Sequence, residues 1–369
     1  MTARPNSVEI DPGALASNLA TLRGLLRPGT VIWQVCKGDG YGLGTERAAS
    51  LGAAAGIDRF CVGTPDEALA LRRAQPRAQV LLFPSALAAD LPALARAGVT
   101  VSLHSRESLA AIRAGAPDAR CWLKIDAGLH RYGFDEAAWP DVLSALRSGA
   151  LPGLQGIYTH FSQSADPGTT DAALSLYDRL LAAACAAAGR PLASMVAASP
   201  LLLARPDLSY DQVDPGRALY GIMQPAAGPA LRPVVTAVRS VLLDCRTLPP
   251  GETIGYGAPT VPGPRRVGTF PLGHFDGLNT RPPYGKVLIR GRHAPVLGRT
   301  LLASIVDLSA IDEARAGDRV TLVGTDGTAE IGAEELAADL GVTLTELHFG
   351  LVRAVPKANE PEQVVRIES

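Results

Sequence analysis

Through its first two-thirds the chain alternates short apolar runs, rich in β-branched residues, with amphipathic stretches of helical period. Strand candidates fall at 31–37, 59–63, 80–83, 100–103, 121–126, 154–160, 194–199 and 212–219. Helical patterns lie between most of them, such as DEALALRRA from Asp66 and RESLAAIRAG from Arg106. A strand that is apolar along its whole length is covered on both faces. In a strand–helix alternation this means parallel strands joined by helical crossovers. About eight such units predict a (β/α)8 TIM-type barrel; a doubly wound open sheet is the alternative for the same pattern.

After about Pro233 the pattern changes. VVTAVRSVLLDCRTL, RRVGTFPL, GKVLIRG, APVLGRTLLASIVDL and DRVTLVG are short strand-like runs broken by Gly and Pro turns. A barrel over 12–233 followed by a smaller C-terminal β domain over 234–369 is the expected organisation.

Several classes of function are disfavoured by composition. A net charge of −1, with no block of like charges, offers no basic face for nucleic acid or anionic lipid. The longest apolar run, near 180–189, is well short of a membrane span, and the N-terminal residues show no secretory h-region. Cys36, Cys61, Cys121, Cys185 and Cys245 are scattered and form no CxxC pair. That favours reduced thiols in a cytoplasmic protein over a disulfide framework or a metal site, and no metal is expected.

VIWQVCKGDGYGLG ends the first barrel strand in Lys37 and continues at once in glycines. In a barrel the chemistry collects at the strand C-termini, where glycine loops let the backbone approach a ligand. A lysine partly desolvated there has a lowered pKa and favours the neutral amine that imine formation needs. Taken alone, a strand-end lysine is a common surface feature.

The context is more specific. Lys37, Tyr41, Gly42 and Gly44 match the lysine-x-x-x-tyrosine-glycine-x-glycine motif, and the segment resembles the cofactor-lysine region of the alanine racemase family. Further landmarks follow in family order. VEIDPGALASNLATLR resembles the opening strand and first helix, with residues 1–11 then a strand packing with the β domain. WLKIDAGLHRYGF supplies Lys124 and Arg131, GIYTHFSQSAD supplies His160, AASPLLL supplies Ser199, DPGRALYG supplies Gly216, and IGYGAPT supplies Tyr256.

The resemblance implies a pyridoxal phosphate (PLP) enzyme with Lys37 as its Schiff-base lysine. Tyr41, Ser199 and Gly216 would then lie at the phosphate and His160 against the ring. Lys37 and Tyr256 would be the two bases of a racemase whose default substrate is alanine. Phenol is a weak base with an ordinary pKa of about 10, so a cation must favour phenolate. The resemblance gives that task to Arg131, which also meets the substrate carboxylate. Lys124 would support this arginine, and in many relatives the matching lysine is carbamylated. The family pattern is a homodimer in which Tyr256 enters the partner's site.

The chain also departs from the family. Asp214 stands where ordinary members carry an arginine against the pyridine nitrogen. A carboxylate there would stabilise a protonated ring. Arg217, beside the phosphate glycine, would bind phosphate directly or pair with Asp214. Leu302 and Ala303 replace a Met-Asp pair, leaving the Leu302 N–H for the substrate carboxylate. His274, Asn359 and Ala198 are further replacements. These changes leave open another PLP reaction on the same scaffold, such as decarboxylation, elimination or oxidation, or a non-catalytic PLP-binding relative.

Overall fold

The computed structural model describes residues 4–161, 167–226, 228–256, 260 and 262–354; Asn359 lies outside them. Two compact units are present. One is Gly13–Arg232, and the other joins the chain up to Pro12 with the chain from Pro233 onward.

Ser7–Ile10 is strand β1. The Gly13–Arg232 unit contains strands β2 (Val31–Ile32), β3 (Gln34–Val35), β4 (Arg59–Val62), β5 (Gln79–Leu82), β6 (Thr100–Leu103), β7 (Cys121–Lys124), β8 (Leu154–Tyr158), β9 (Ala193–Ala198) and β10 (Gln212–Asp214). All pair in parallel, in the order β2-β10-β9-β8-β7-β6-β5-β4-β3. Only Trp33 separates β2 from β3. Val31 and Ile32 pair with β10 while Gln34 and Val35 pair with β4, so one strand closes the sheet on itself. The expected barrel of parallel strands is borne out.

Its interior is packed. Trp33 and Trp122 come from strands on opposite sides of the barrel, so their rings can meet only inside it; they do so edge to face at 6.0 Å. The Trp33 indole N–H reaches Gln212, and Ser102 donates to the Leu82 carbonyl at 2.6 Å. Both groups are thereby satisfied, as burial requires. On the outside, the helices Pro65–Ala74 and Arg106–Gly115 begin with capping boxes at Thr64 and Ser105.

One expectation needs correction. The run 212–219 is a strand only to Asp214, after which Gly216–Leu219 forms a helical turn. Pro215 has no N–H to give a ladder, so the strand stops there.

The other unit carries β11 (Val235–Val241), β12 (Asp244–Leu248), β13 (Arg265–Phe270), β14 (Lys286–Ile289), β15 (Arg292–Arg299), β16 (Ser304–Asp307), β17 (Arg319–Asp326) and β18 (Ala329–Ile331). The sheet order is β1-β11-β17-β14-β15-β16-β13-β12, antiparallel at every pairing, with β18 on β17. β1 joins it through Ser7↔Arg239 and Val8↔Val238. Val267, Phe270, Leu288, Val306 and Val320 are buried in this unit. The unit is not all β, because the helices Ala333–Leu340 and Leu344–Ala354 follow the last strand.

Candidate active site

The ends of the barrel strands and the loops that follow them surround a cavity of about 640 Å³, lined by Lys37, Tyr41, Arg131, His160, Ser199, Asp214, Gly216 and Arg217 among others. That volume lies within the ~300–1,000 Å³ usual for small-ligand sites. Lys37 directly follows β3 and Cys36, Asp214 ends β10, and Ser199 follows β9.

Lys37 opens a turn of the wrong hand for L-residues. Gly38, Asp39 and Gly40 have φ of 67°, 53° and 63°, and Tyr41 has 56°. Left-handed helix costs an L-residue ~1–2 kcal/mol, which explains the alternating glycines of KGDGYGLG. The turn is held by hydrogen bonds from Gly40 N to Cys36 O at 2.8 Å and from Gly42 N to Gly38 O at 2.9 Å. Glu67 adds a clamp that sequence reasoning missed. One of its oxygens accepts from Asp39 N at 2.8 Å, and the other accepts from Gly63 N at 2.8 Å and Thr64 N at 3.1 Å. Asp39 in turn accepts from Thr45 N at 2.8 Å. The legible signal was the Thr64-Pro65-Asp66-Glu67 capping box.

Lys37 is open to the cavity rather than sealed from it. The surrounding barrel mouth still desolvates its ammonium and lowers its pKa; Asp214 opposes that shift, while Arg131 and Arg217 add to it. The neutral amine is reached more readily than in a solvated lysine.

Tyr41 is buried, stacked on Tyr220 at 4.7 Å. Burial, reinforced by the Asp214 charge, raises its pKa well beyond the usual phenol range, so it is a protonated hydrogen-bond donor. A Cβ added to Gly216 would fall 2.1 Å from the Tyr41 hydroxyl oxygen. The Ser199 hydroxyl accepts from Ala218 N at 3.0 Å.

Beneath these groups runs a chain of three titratable side chains. Lys124 Nζ lies 3.1 Å from His160 Nδ1, and His160 Nε2 lies 2.9 Å from Asp214 Oδ2. Lys124 is buried, and desolvation, helped by Arg131, lowers its pKa to about 7. Desolvation also lowers the His160 pKa, against the pull of Asp214. Asp214 thus partners His160 rather than Arg217 among the described residues.

Arg131 reaches the cavity from the loop after β7. Asp126 braces that loop, accepting from Gly128 N at 3.1 Å and His130 N at 2.9 Å. A Cβ at Gly133, whose φ is 131°, would stand 2.4 Å from Asp126 N. Tyr256 and Leu302 belong to the other unit, in loops where they are 83% and 49% exposed.

The cavity's donor set suits PLP. Lysine, two arginines, a phenol and a hydroxyl answer a phosphate and a carboxylate, and Lys37 is the amine for the aldehyde. At Gly216 the backbone can approach a ligand because no side chain fits there.

A closed parallel barrel with a lysine and this donor set at its mouth fits the class of PLP-dependent barrel enzymes. Comparison with known proteins is specific about which. Residues 10–224 match the family model for the alanine racemase N-terminal domain, and residues 235–359 match that for the C-terminal domain. An alanine racemase of Salinispora tropica is 33% identical over 96% of this chain and 98% of its own. Alanine racemase from Streptomyces coelicolor superposes with a TM-score of 0.85 at 31% identity, covering 96% of this chain and 98% of that one. The Bacillus anthracis enzyme with bound L-Ala-P gives 0.86 at 25% identity, covering 97% and 95%. The chain belongs to the alanine racemase family, PLP-dependent isomerases that act on a small amino acid.

Proposed function

We propose that this chain racemises a small amino acid, alanine first, with Lys37 and Tyr256 as its two bases and the tyrosine supplied by a second copy. The observation that carries the reading is the Lys37 amine, its charge disfavoured, in one cavity with Arg131 and Arg217. Lys37 would hold the cofactor, with Tyr41, Ser199, Gly216 and Arg217 at its phosphate and His160 and Asp214 toward its ring. When bound, PLP supplies the electron sink that acidifies Cα–H.

The remaining work falls to the chain's own groups. Arg131, whose planar guanidinium matches a carboxylate, takes the substrate carboxylate and fixes which face of Cα meets Lys37. The Lys37 amine moves the proton on that face. On the opposite face the base is Tyr256, whose exposure leaves it available to a partner copy. The Leu302 N–H is a further donor for carboxylate. The B. anthracis relative, an alanine racemase solved with bound L-Ala-P, supports alanine as the first substrate to test.

The test is a screen of cofactor-loaded protein in deuterium oxide against both enantiomers of each amino acid. Incorporation of deuterium at Cα together with the opposite enantiomer is expected for alanine. Loss of carbon dioxide or ammonia without inversion would favour another PLP reaction. No exchange with any amino acid would leave a PLP-binding relative that is not an enzyme.

A further inference from the structure

Asp214 is the one carboxylate among the described cavity-lining residues, which otherwise present Lys37, Arg131, Arg217 and His160. It is 3% exposed at the end of its strand. Such burial of a charge is costly without defined partners. His160 is one, at 2.9 Å from Oδ2, while no hydrogen bond from the described residues reaches Oδ1.

The protons can be placed. Burial disfavours the charged imidazole, and the neutral ring carries one N–H. Lys124 Nζ donates to Nδ1 at 3.1 Å, which leaves the proton on Nε2 as the donor to Asp214. Asp214 Oδ2 therefore accepts from the imidazole. One oxygen is tied back to the barrel, and the other remains for whatever occupies the cavity. The lining arginines and lysine answer anionic groups; Asp214 alone answers a cationic N–H.

We infer that Asp214, oriented by His160 and Lys124, accepts a hydrogen bond from a protonated ring nitrogen of the cofactor. This rests on the placement of PLP at Lys37 proposed above. PLP here is held as a pyridinium, and its withdrawal of electrons from Cα is strengthened. The competing role, an Asp214–Arg217 pair across the turn at Pro215, does not occur among the described residues.

Nitrogen NMR of holoenzyme loaded with PLP isotopically labelled at the ring nitrogen reads the protonation state directly. The wild-type signal is expected at the pyridinium position throughout the neutral range. Asp214→Asn moves it to the neutral pyridine position, and Asp214→Glu restores it. A wild-type signal at the neutral position, or an unmoved pyridinium signal in Asp214→Asn, overturns the inference. If Asp214→Asn does not load cofactor, the wild-type signal decides alone. Borohydride reduction and peptide mapping of the same samples separate the two levels. An adduct on Lys37 with a neutral ring removes only the role of Asp214, whereas no adduct on Lys37 removes the cofactor placement with it.

Discussion

The Tyr41 hydroxyl fills the space that a side chain at position 216 would need, since a Cβ there would lie 2.1 Å from its oxygen. Tyr41 cannot yield easily, because its ring is stacked on the buried Tyr220. Gly216→Ala must therefore push the phenol away from the cavity or shift the turn at Pro215. The expected result is a large loss of PLP affinity, with destabilisation of ~1–3 kcal/mol typical of overpacking. Cofactor titration beside denaturant unfolding checks both. Unchanged PLP affinity would show that the two residues do not form one cofactor contact.

Lys124 makes stability depend on pH in a defined window. Its folded pKa is about 7 against an ordinary 10.5. Below pH 7 both states are charged and the burial penalty is fully present, on the order of 5 kcal/mol. Between these two values the unfolded chain binds more protons than the folded one, so stability rises with pH. Lys124→Met removes the group, so its stability advantage over wild type should be greatest and level below pH 7. The advantage should then shrink as pH rises toward 10. Paired urea unfolding across that range measures it, and a difference independent of pH would contradict the assignment.

Glu67 lies outside the lining of the cavity yet clamps the left-handed turn behind Lys37 through Asp39 N, Gly63 N and Thr64 N. At a partly exposed site such bonds contribute ~0.5–1.5 kcal/mol each, and the strained turn depends on them. Glu67→Ala should weaken cofactor binding by an order of magnitude or more while the barrel stays folded. Glu67→Gln retains one acceptor oxygen and should fall between. Holoenzyme dialysis with absorbance of retained cofactor distinguishes these; equal retention in all three proteins would assign Glu67 to helix capping alone.

Tyr256→Phe separates the two bases. If the phenol serves one face and the Lys37 amine the other, the variant should lose Cα exchange of one enantiomer by orders of magnitude and keep measurable exchange of the other. Half-exchange measured separately from L and D substrate gives the ratio. An equal loss from both sides would mean that Tyr256 is not a face-specific base.

The barrel was legible because its strands are buried on both faces. Phe60, Cys61 and Val62, then Val80, Leu81 and Leu82, and Val101, Ser102 and Leu103 are buried in unbroken succession, and that continuity reports a covered parallel sheet. Residues that line the cavity were legible where motif and strand end coincide, as at Lys37, Ser199 and Asp214. What escaped depends on the third dimension. Glu67 meets Asp39 only because β3 and β4 are neighbours, and no local pattern states that adjacency. Similarly, Asp214 joins His160 across 54 positions of sequence. The strand expected at 212–219 overran because its apolar residues continue past Pro215 into a turn. The two late helices were subsumed under the β pattern that precedes them, although Leu336, Ala337 and Leu340 recur at helical spacing.

The β unit carries a second, independent consequence. Tyr256, Phe275, Leu301 and Leu302 are 83%, 65%, 51% and 49% exposed, an unusual concentration of large apolar groups. Backbone geometry gathers them: Phe275 N donates to Leu301 O at 2.9 Å and His274 N to Thr300 O at 3.1 Å. Gly255, just before Tyr256, lies against Gly298 and Arg299, with its Cβ position 3.8 Å from each. Arg299 stiffens this edge from inside, donating to Asn279 O and Tyr284 O at 3.0 Å each. If the proposed pairing with a second copy uses this face, burying it would contribute ~25 cal/mol per Å² to that pairing. A charge there must be desolvated on assembly, so Phe275→Glu and Leu301→Glu should each weaken the dimer by tenfold or more. Sedimentation velocity across a dilution series reads the shift, and specific activity should fall with it, because the proposed second base comes from the partner copy. Variants that become monomeric yet keep full activity per chain would remove Tyr256 from the partner's site and leave each chain to racemise alone.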